Sequence, residues 1–386
     1  MMTRKILGSL CLLVLCGILV AGLWPFHAPR TDVRWLSPET GLLLGKYGSI
    51  VSAAPFDTKS QRADNSCSLE IWLEPKQVQS SGTILAFYQP DRQVTPFSLR
   101  QSLGDLVLQR ARRNESGHSQ KTKIYIDDVF SHQQLVLVTI SSNQSGTTVF
   151  VNGGFVRKLE NFKLPNQDLR GRLVLGNSPV TTDDWSGRVR GIALYDRELA
   201  ADEVSQHFVS WTTGNRLSLA QSPGVIAIYP FNEGEGNVVH NLLDSATDLH
   251  IPERFFVLHP QFLERPWDEY RPDWNYWKDV GINVAGFIPL GFFFCAYFVL
   301  AGKVEHPVAI TIALGFAVSL TIEVSQGFLP TRNSGMTDLI TNILGTAIGT
   351  MAYSHAIVRK ALHVAGFPAE TTNIGPKTQP VGASSL

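Results

Sequence analysis

The chain lacks an excess of charge of either sign. Lys plus Arg and Asp plus Glu number 33 each in 386 residues, a formal net charge of zero. Such a balance offers no basic surface for nucleic acid. Charged residues make up only 17%, below the roughly 25% of ordinary soluble domains. Cysteine is scarce, with Cys11, Cys16, Cys67 and Cys295 the four present. Cys67 alone falls in the long central stretch, so no disulfide forms within it and its core must hold it together. No lipobox precedes Cys11 or Cys16, because Leu10 and Leu15 stand before them. No H-E-x-x-H, G-x-S-x-G or complete G-x-x-x-x-G-K-[ST] run occurs, which leaves familiar zinc, serine and nucleotide chemistry without support. The E-x-D-x-x-E run of sandwich glycosidases is missing too. Glu233 and Glu235 share strand parity but sit in a Gly-rich turn, whereas glycoside hydrolysis needs a rigid pair of carboxylates.

The charge deficit is local. Apolar residues gather in four blocks, at about 6–24, 281–301, 308–326 and 337–357. Each approaches the ~20 residues that cross a ~30 Å hydrocarbon core. Four transmembrane helices are expected. The first block is read as an uncleaved anchor, since it is long for a signal peptide and no small-x-small site follows. Basic residues set the orientation. Arg4 and Lys5, Lys303, and Arg359 with Lys360 share one side if both termini are cytoplasmic. The large segment between helices one and two then lies outside the cytoplasm, in a multi-pass protein of the inner (plasma) membrane.

That segment, 31–252, changes to short alternating runs such as S-L-E-I-W-L (68–73), Q-L-V-L-V-T-I (134–140) and R-L-V-L (172–175). Period two places one face in and one face out, as in antiparallel sheets. Asn152-Gly153-Gly154 supplies a hairpin turn where positive φ is tolerated. Many strands without interleaved helices predict a β-sandwich. Trp72 and Trp185 stand in or beside alternating runs and are expected in its core. Asp183 and Asp184 offer oxygen ligands for calcium, or form a solvated turn; no other cofactor is expected.

Five aromatics, Trp267, Tyr270, Trp274, Tyr276 and Trp277, crowd the linker 253–280, as in an interfacial belt. Beyond it, polar residues recur inside apolar helices, where they are costly. Gly315, Ser319, Glu323 and Gln326 fall on one face of helix three, and Asp338, Asn342, Gly345 and Gly349 on one face of helix four. Asn283, Phe287, Pro289 and Gly291 mark helix two, where Pro289 removes a backbone donor. Gly345 and Gly349 form a close-packing G-x-x-x-G pair. The tail, 358–386, is rich in Pro, Gly, Thr and Ser and reads as disordered and cytoplasmic.

Two resemblances follow from these residues. The runs T-T-V-F-V-N-G-G, L-V-L-G-N and W-S-G-R-V-R-G-I-A-L-Y-D-R-E-L-A-A-D-E-V (185–204) resemble a laminin-G, or concanavalin A-like, domain. That likeness implies a jelly-roll sandwich, a crossing strand at 189–195, and a turn and short helix at 196–204. Y-P-F-N-E-G-E-G (229–236) is similar to the strand that usually opens such domains, but here it comes late. The helices resemble the VanZ-like family, in the pattern N-x-x-x-F-x-P-x-G, E-x-x-Q, an arginine, then D-x-x-x-N-x-x-G-x-x-x-G. The resemblance implies an envelope protein linked to glycopeptide (teicoplanin) tolerance, with the lectin-like domain inserted after helix one. With the topology above, Asn283, Glu323, Gln326, Arg332, Asp338 and Asn342 converge on the outer leaflet, Arg332 bridging Glu323 and Asp338. The partners expected are the bilayer, a glycan or envelope protein for the sandwich, and a lipid-linked precursor head group for the helices. The alternative is an enzyme or transporter handling a proton or head group at Glu323, Arg332 and Asp338; purely structural packing is the third reading.

Overall fold

The computed structural model describes residues 2–57, 65–113, 119–270, 274–302 and 304–355. Lys303, Arg359, Lys360 and the tail 358–386 lie outside the described residues. The chain forms two compact units, one of residues 27–261 with 329–333, the other of 1–26, 262–328 and 334–386.

Among the described residues the first unit is a sandwich of sixteen strands. They are β1 (Val33–Trp35), β2 (Leu42–Leu44), β3 (Ile50–Ser52), β4 (Cys67–Pro75), β5 (Ser81–Gln89), β6 (Val94–Ser102), β7 (Asp105–Arg113) and β8 (Ser119–Ile126). There follow β9 (Val136–Asn143), β10 (Gly146–Val151), β11 (Gly154–Leu159), β12 (Arg172–Leu175), β13 (Gly187–Tyr195), β14 (Val225–Tyr229), β15 (Val238–Val239) and β16 (Leu249–His250). One sheet runs β1-β2-β13-β4-β9-β10-β11, with β14 also paired to β13; the other runs β15-β16-β3-β12-β5-β6-β7-β8. The named pairings are antiparallel. The late Val225–Tyr229 run is thus a closing strand on the crossing strand β13. Asn152 (φ 52°) and Gly153 (φ 79°) turn β10 into β11, the left-handed pair that a type I′ hairpin requires.

Strand β4 shows why alternation alone understates burial. Leu69, Ile71 and Leu73 enter the core between the sheets. The opposite face of the same sheet is covered by a helix, Ala201–Thr212, and a second core of Trp72, Phe150, Tyr195, Val204 and Trp211 fills the gap. Trp185 is fully buried and its indole N–H donates to Gln101 Oε1 (2.7 Å). Trp72 is buried, with the guanidiniums of Arg190 and Arg216 over its ring. Into that second core the sequence puts a carboxylate, Glu70, with no exposure. It accepts hydrogen bonds from Tyr195 OH (3.1 Å), Trp211 Nε1 (3.1 Å) and Thr139 Oγ1 (3.4 Å), and lies 3.1 Å from His207 Nδ1. Burial and the Glu70 charge push the Tyr195 phenol far above its ordinary range, so it stays a donor. A buried carboxylate persists only with such a full set of partners. The covering helix is anchored at its first turn. Arg197 grips Glu203 with two bonds of 2.7 and 2.8 Å, and Glu203 accepts from Ala200 N (3.0 Å). These contacts hold the Glu203 carboxyl down at about 2.

Cys67 is buried and its thiol donates to Leu164 O (3.2 Å). Burial, with the neighbouring Asp168 carboxylate, pushes the thiol well above its usual range, which makes it an inert core residue.

In the second unit, α1 is Met2–Leu23; with the sandwich helix Ala201–Thr212 as α2 and the single turn Pro266–Glu269 as α3, the bundle continues with α4 (Trp274–Ala301), α5 (Pro307–Gln326) and α6 (Met336–Ser354). Among the described residues three helices are long and apolar enough to cross a membrane: Arg4–Leu23, Tyr276–Ala301 and Pro307–Gln326. The fourth expected span, α6, is a helix but does not join them by composition, because it carries Asp338, Asn342 and four threonines. Past its first turn its hydroxyls are spent on its own backbone. Thr341, Thr346 and Ser354 donate to carbonyls four residues back, at 2.8 to 3.0 Å, a pattern that hides polar side chains from an apolar surrounding. Helix α4 begins at Trp274, seven residues ahead of the apolar block, so the aromatic belt is partly its first two turns. Trp267, Tyr270, Trp274 and Trp277 are exposed.

Helices α4 and α6 touch backbone to backbone. A Cβ on Gly345 would strike the carbonyl of Val284, one on Gly349 that of Ile288, and one on Gly291 that of Thr346. Thr346 also lies against Gly315 of α5. Phe287 is buried beside Leu290, Val318 and Ile322, and Pro289 stands inside α4.

Candidate functional site

The start of α6 organises the polar residues of the helical unit. The first N–H groups of any helix lack partners within it. Here Gly335 N donates to Glu323 Oε2 (2.9 Å), Met336 N to Glu264 O (2.9 Å) and Thr337 N to Glu269 Oε2 (3.0 Å). Thr337 Oγ1 donates to Glu269 as well. Two carboxylates from elsewhere in the chain therefore cap α6, where its dipole favours negative charge. Glu323 is 1% exposed. One turn on, Asn283 Nδ2 of α4 donates to Asp338 Oδ1 (2.7 Å). Deeper still, Asn342 Nδ2 donates to Ser319 Oγ of α5 (3.0 Å). Gln326 turns the other way, its Nε2 donating to Gly22 O at the end of α1 (2.8 Å).

The arrangement is rich in acceptors. Asn342 Oδ1 and, at the α1 contact, Gln326 Oε1 are buried with no partner among the described residues. With Glu269, Glu323 and Asp338, Asn342 gives a site rich in oxygen. Such a site meets hydroxyl, amide or ammonium donors rather than anions.

Of the residues expected to converge, Asn283, Glu323, Asp338 and Asn342 line the α4, α5 and α6 contacts, and Gln326 joins α5 to α1. Arg332 is placed in the segment 329–333, which belongs to the sandwich unit; there Thr182 Oγ1 donates to Pro330 O (2.9 Å). Glu269 carries no signal in the sequence, because it sits in the aromatic linker and at no helical spacing from the start of α6. Asp183, a candidate calcium ligand, is engaged by Arg100 (3.1 Å) and Thr83, and its N–H donates to Asn177 Oδ1 (2.9 Å). Among the described residues no group of three or more His, Cys, Asp or Glu side chains is placed to hold a metal.

Comparison with known proteins agrees with both halves of this architecture. Residues 225–359 match the VanZ/LLP1 family model, and residues 48–205 match the concanavalin A-like lectin/glucanases superfamily model. The VanZ/LLP1 match begins at β14, so it takes in the closing strand of the sandwich as well as the helices. No curated protein matches the chain. Among solved structures, a botulinum neurotoxin type C structure is similar at 17% identity and TM-score 0.35, over 47% of this chain and 45% of that one. The botulinum neurotoxin serotype D binding domain is similar at 12% identity and TM-score 0.36, over 48% and 46%. The chain thus spans under half the length of these structures, and at that similarity they carry no functional weight. The two matches assign a concanavalin A-like domain to residues 48–205 and a VanZ-like domain to residues 225–359.

Proposed function

We propose that this chain is a multi-pass plasma-membrane protein of the cell envelope, whose sandwich lies outside the cytoplasm and binds saccharide. Its helical unit receives the head group of a lipid-linked envelope component at the start of α6. The observation that carries the reading is the gathering of acceptors there: three carboxylates, with the buried amide oxygen of Asn342 unpartnered among the described residues. Hydroxyls and amides of a saccharide or peptide head group supply a donor to Asn342 Oδ1 and add to those the carboxylates already have. Polar groups inside apolar helices that only packed them together would be paired among themselves. Sidedness follows from the basic residues at 4, 5, 303, 359 and 360, which favour the cytoplasm, and a role in glycopeptide tolerance would follow if the head group is a wall precursor.

Native mass spectrometry of the full-length protein, released from membranes in mild detergent, tests this. A head-group-bearing lipid retained by the wild type and lost by Asp338→Asn and Asn342→Leu, with helicity unchanged, is the expected result. An identical lipid complement in all three proteins would sink it and leave the cluster as helix packing.

A further inference from the structure

One rim of the sandwich carries a second polar site, unrelated to the helices. A cavity of about 620 Å³ opens where β5 turns into β6, against β7 and the turn Asn166–Leu169. That volume falls within the ~300–1,000 Å³ of small-molecule sites. Its charged lining is Arg92, Arg112, Asp91 and Asp168.

Asp168 is not free to serve a ligand. It is 5% exposed and is paired with the guanidinium of Arg110. Position 110 explains the pair: β7 sends Leu106 and Leu108 into the core, and the next inward position is an arginine at the core's edge. Arg110 Nη2 remains buried with no partner among the described residues. The pair is neutral, which leaves Arg92 and Arg112 facing the single exposed carboxylate of Asp91. Neither the Arg92 nor the Arg112 side chain has a hydrogen bond or ion pair among the described residues, and both act electrostatically on Asp168. The cavity is therefore net positive by one charge.

Amides surround these guanidiniums. Gln89 Nε2 donates to Gln167 O (2.8 Å), which ties the β5 end to the turn, and the side chains of Gln93 and Gln167 line the cavity and are exposed. Val94, Pro96 and Ala111 supply a small apolar floor. Guanidinium forks fit carboxylates in two-point contact. Amides fit hydroxyls, and a small apolar floor fits the C–H face of a sugar ring.

We propose that this rim cavity binds the carboxylate-bearing unit of an acidic saccharide, with Arg92 and Arg112 on the carboxylate and the glutamines on ring hydroxyls. This rests on the reading of the sandwich as a saccharide-binding module and names the class it selects.

Calorimetry on the full chain in detergent tests it with three probes: tetragalacturonate, neutral galactotetraose and a tetra-glutamate peptide. Tetragalacturonate should bind at least tenfold tighter than either of the others, and more weakly as salt rises. Arg92→Gln with Arg112→Gln should abolish that preference. Both arginines are at the surface, so the double variant should melt with the wild type, and Asp338→Asn should bind tetragalacturonate normally. Equal binding of the two saccharides would overturn the acidic class while sparing the module; equal binding of the peptide would overturn the saccharide. No binding of either saccharide at millimolar concentration would overturn both readings of the sandwich.

Discussion

Two alanines placed five residues apart in α4 should have opposite effects. Gly286 has nothing within 4 Å of where its Cβ would stand. Gly286→Ala therefore gains only helix propensity, about 1 kcal/mol. At Gly291 the new Cβ would run into the Thr346 carbonyl, with the carbonyl carbon 2.9 Å and the Cα 3.0 Å away. The obstacle is backbone, so α4 and α6 must separate, and the cost belongs at the upper end of overpacking, about 3 kcal/mol. Set against the same propensity gain, Gly291→Ala loses about 2 kcal/mol net, a gap of about 3 kcal/mol between the two variants. Gly345→Ala, with Val284 C at 3.0 Å and Phe287 Cβ at 3.1 Å, should behave like Gly291→Ala. Denaturing-detergent titration of the mixed micelle, followed by circular dichroism at 222 nm, measures the difference. If Gly286→Ala and Gly291→Ala unfold together, α4 and α6 do not meet through their backbones.

Other outcomes follow from named contacts. Glu70→Leu strands the Tyr195 hydroxyl and Trp211 indole N–H in an apolar core, and at ~1–3 kcal/mol per buried orphan the sandwich should lose about 4 kcal/mol in urea; Glu70→Gln, which keeps an acceptor, should lose less than half of that. Glu203 has a depressed carboxyl, so its stabilising grip on Arg197 is present above the unfolded value near 4.5 and fades as pH falls toward about 2. Glu203→Gln should thus be less stable than wild type at pH 7, with the difference shrinking below pH 4.5 in acid titrations of melting temperature; a pH-independent difference would contradict the pairing. Glu269→Ala removes the acceptor for Thr337 N, and the loss of a helix cap, about 1 kcal/mol, should lower the helical unit's unfolding midpoint while Glu269→Gln recovers much of it.

The alternating runs placed the sandwich because β4, β9 and β12 carry their apolar residues at every second position, and Asn152-Gly153 announced its own hairpin. The polar spacings in α5 and α6 likewise put Asp338, Ser319 and Asn342 at helix contacts, since i, i+4 geometry is local. What sequence could not show is long-range pairing. Nothing beside Glu70 signals that His207, Tyr195 and Trp211, more than a hundred residues away, will surround it. Gln326 finds Gly22 O across 304 positions, and Glu269 hides as a helix cap among interfacial aromatics. Helix α4 starts ahead of its apolar block because Trp274, Asn275, Lys278 and Asp279 are polar or amphipathic, yet helix geometry continues through them once the apolar turns that follow hold the axis. The rim cavity is not legible in the sequence because β5 to β8 mix Arg and Gln into strands, and only the fold brings positions 92, 112 and 168 together.

The central claim is that the loop entering α6 opens to the outside of the cell, on the same side as the sandwich. With Cys11, Cys16, Cys67 and Cys295 replaced by alanine, a single Asn333→Cys at an exposed position of that loop should react with a membrane-impermeant maleimide in intact cells. Labelling that appears only after the cells are lysed would contradict the account.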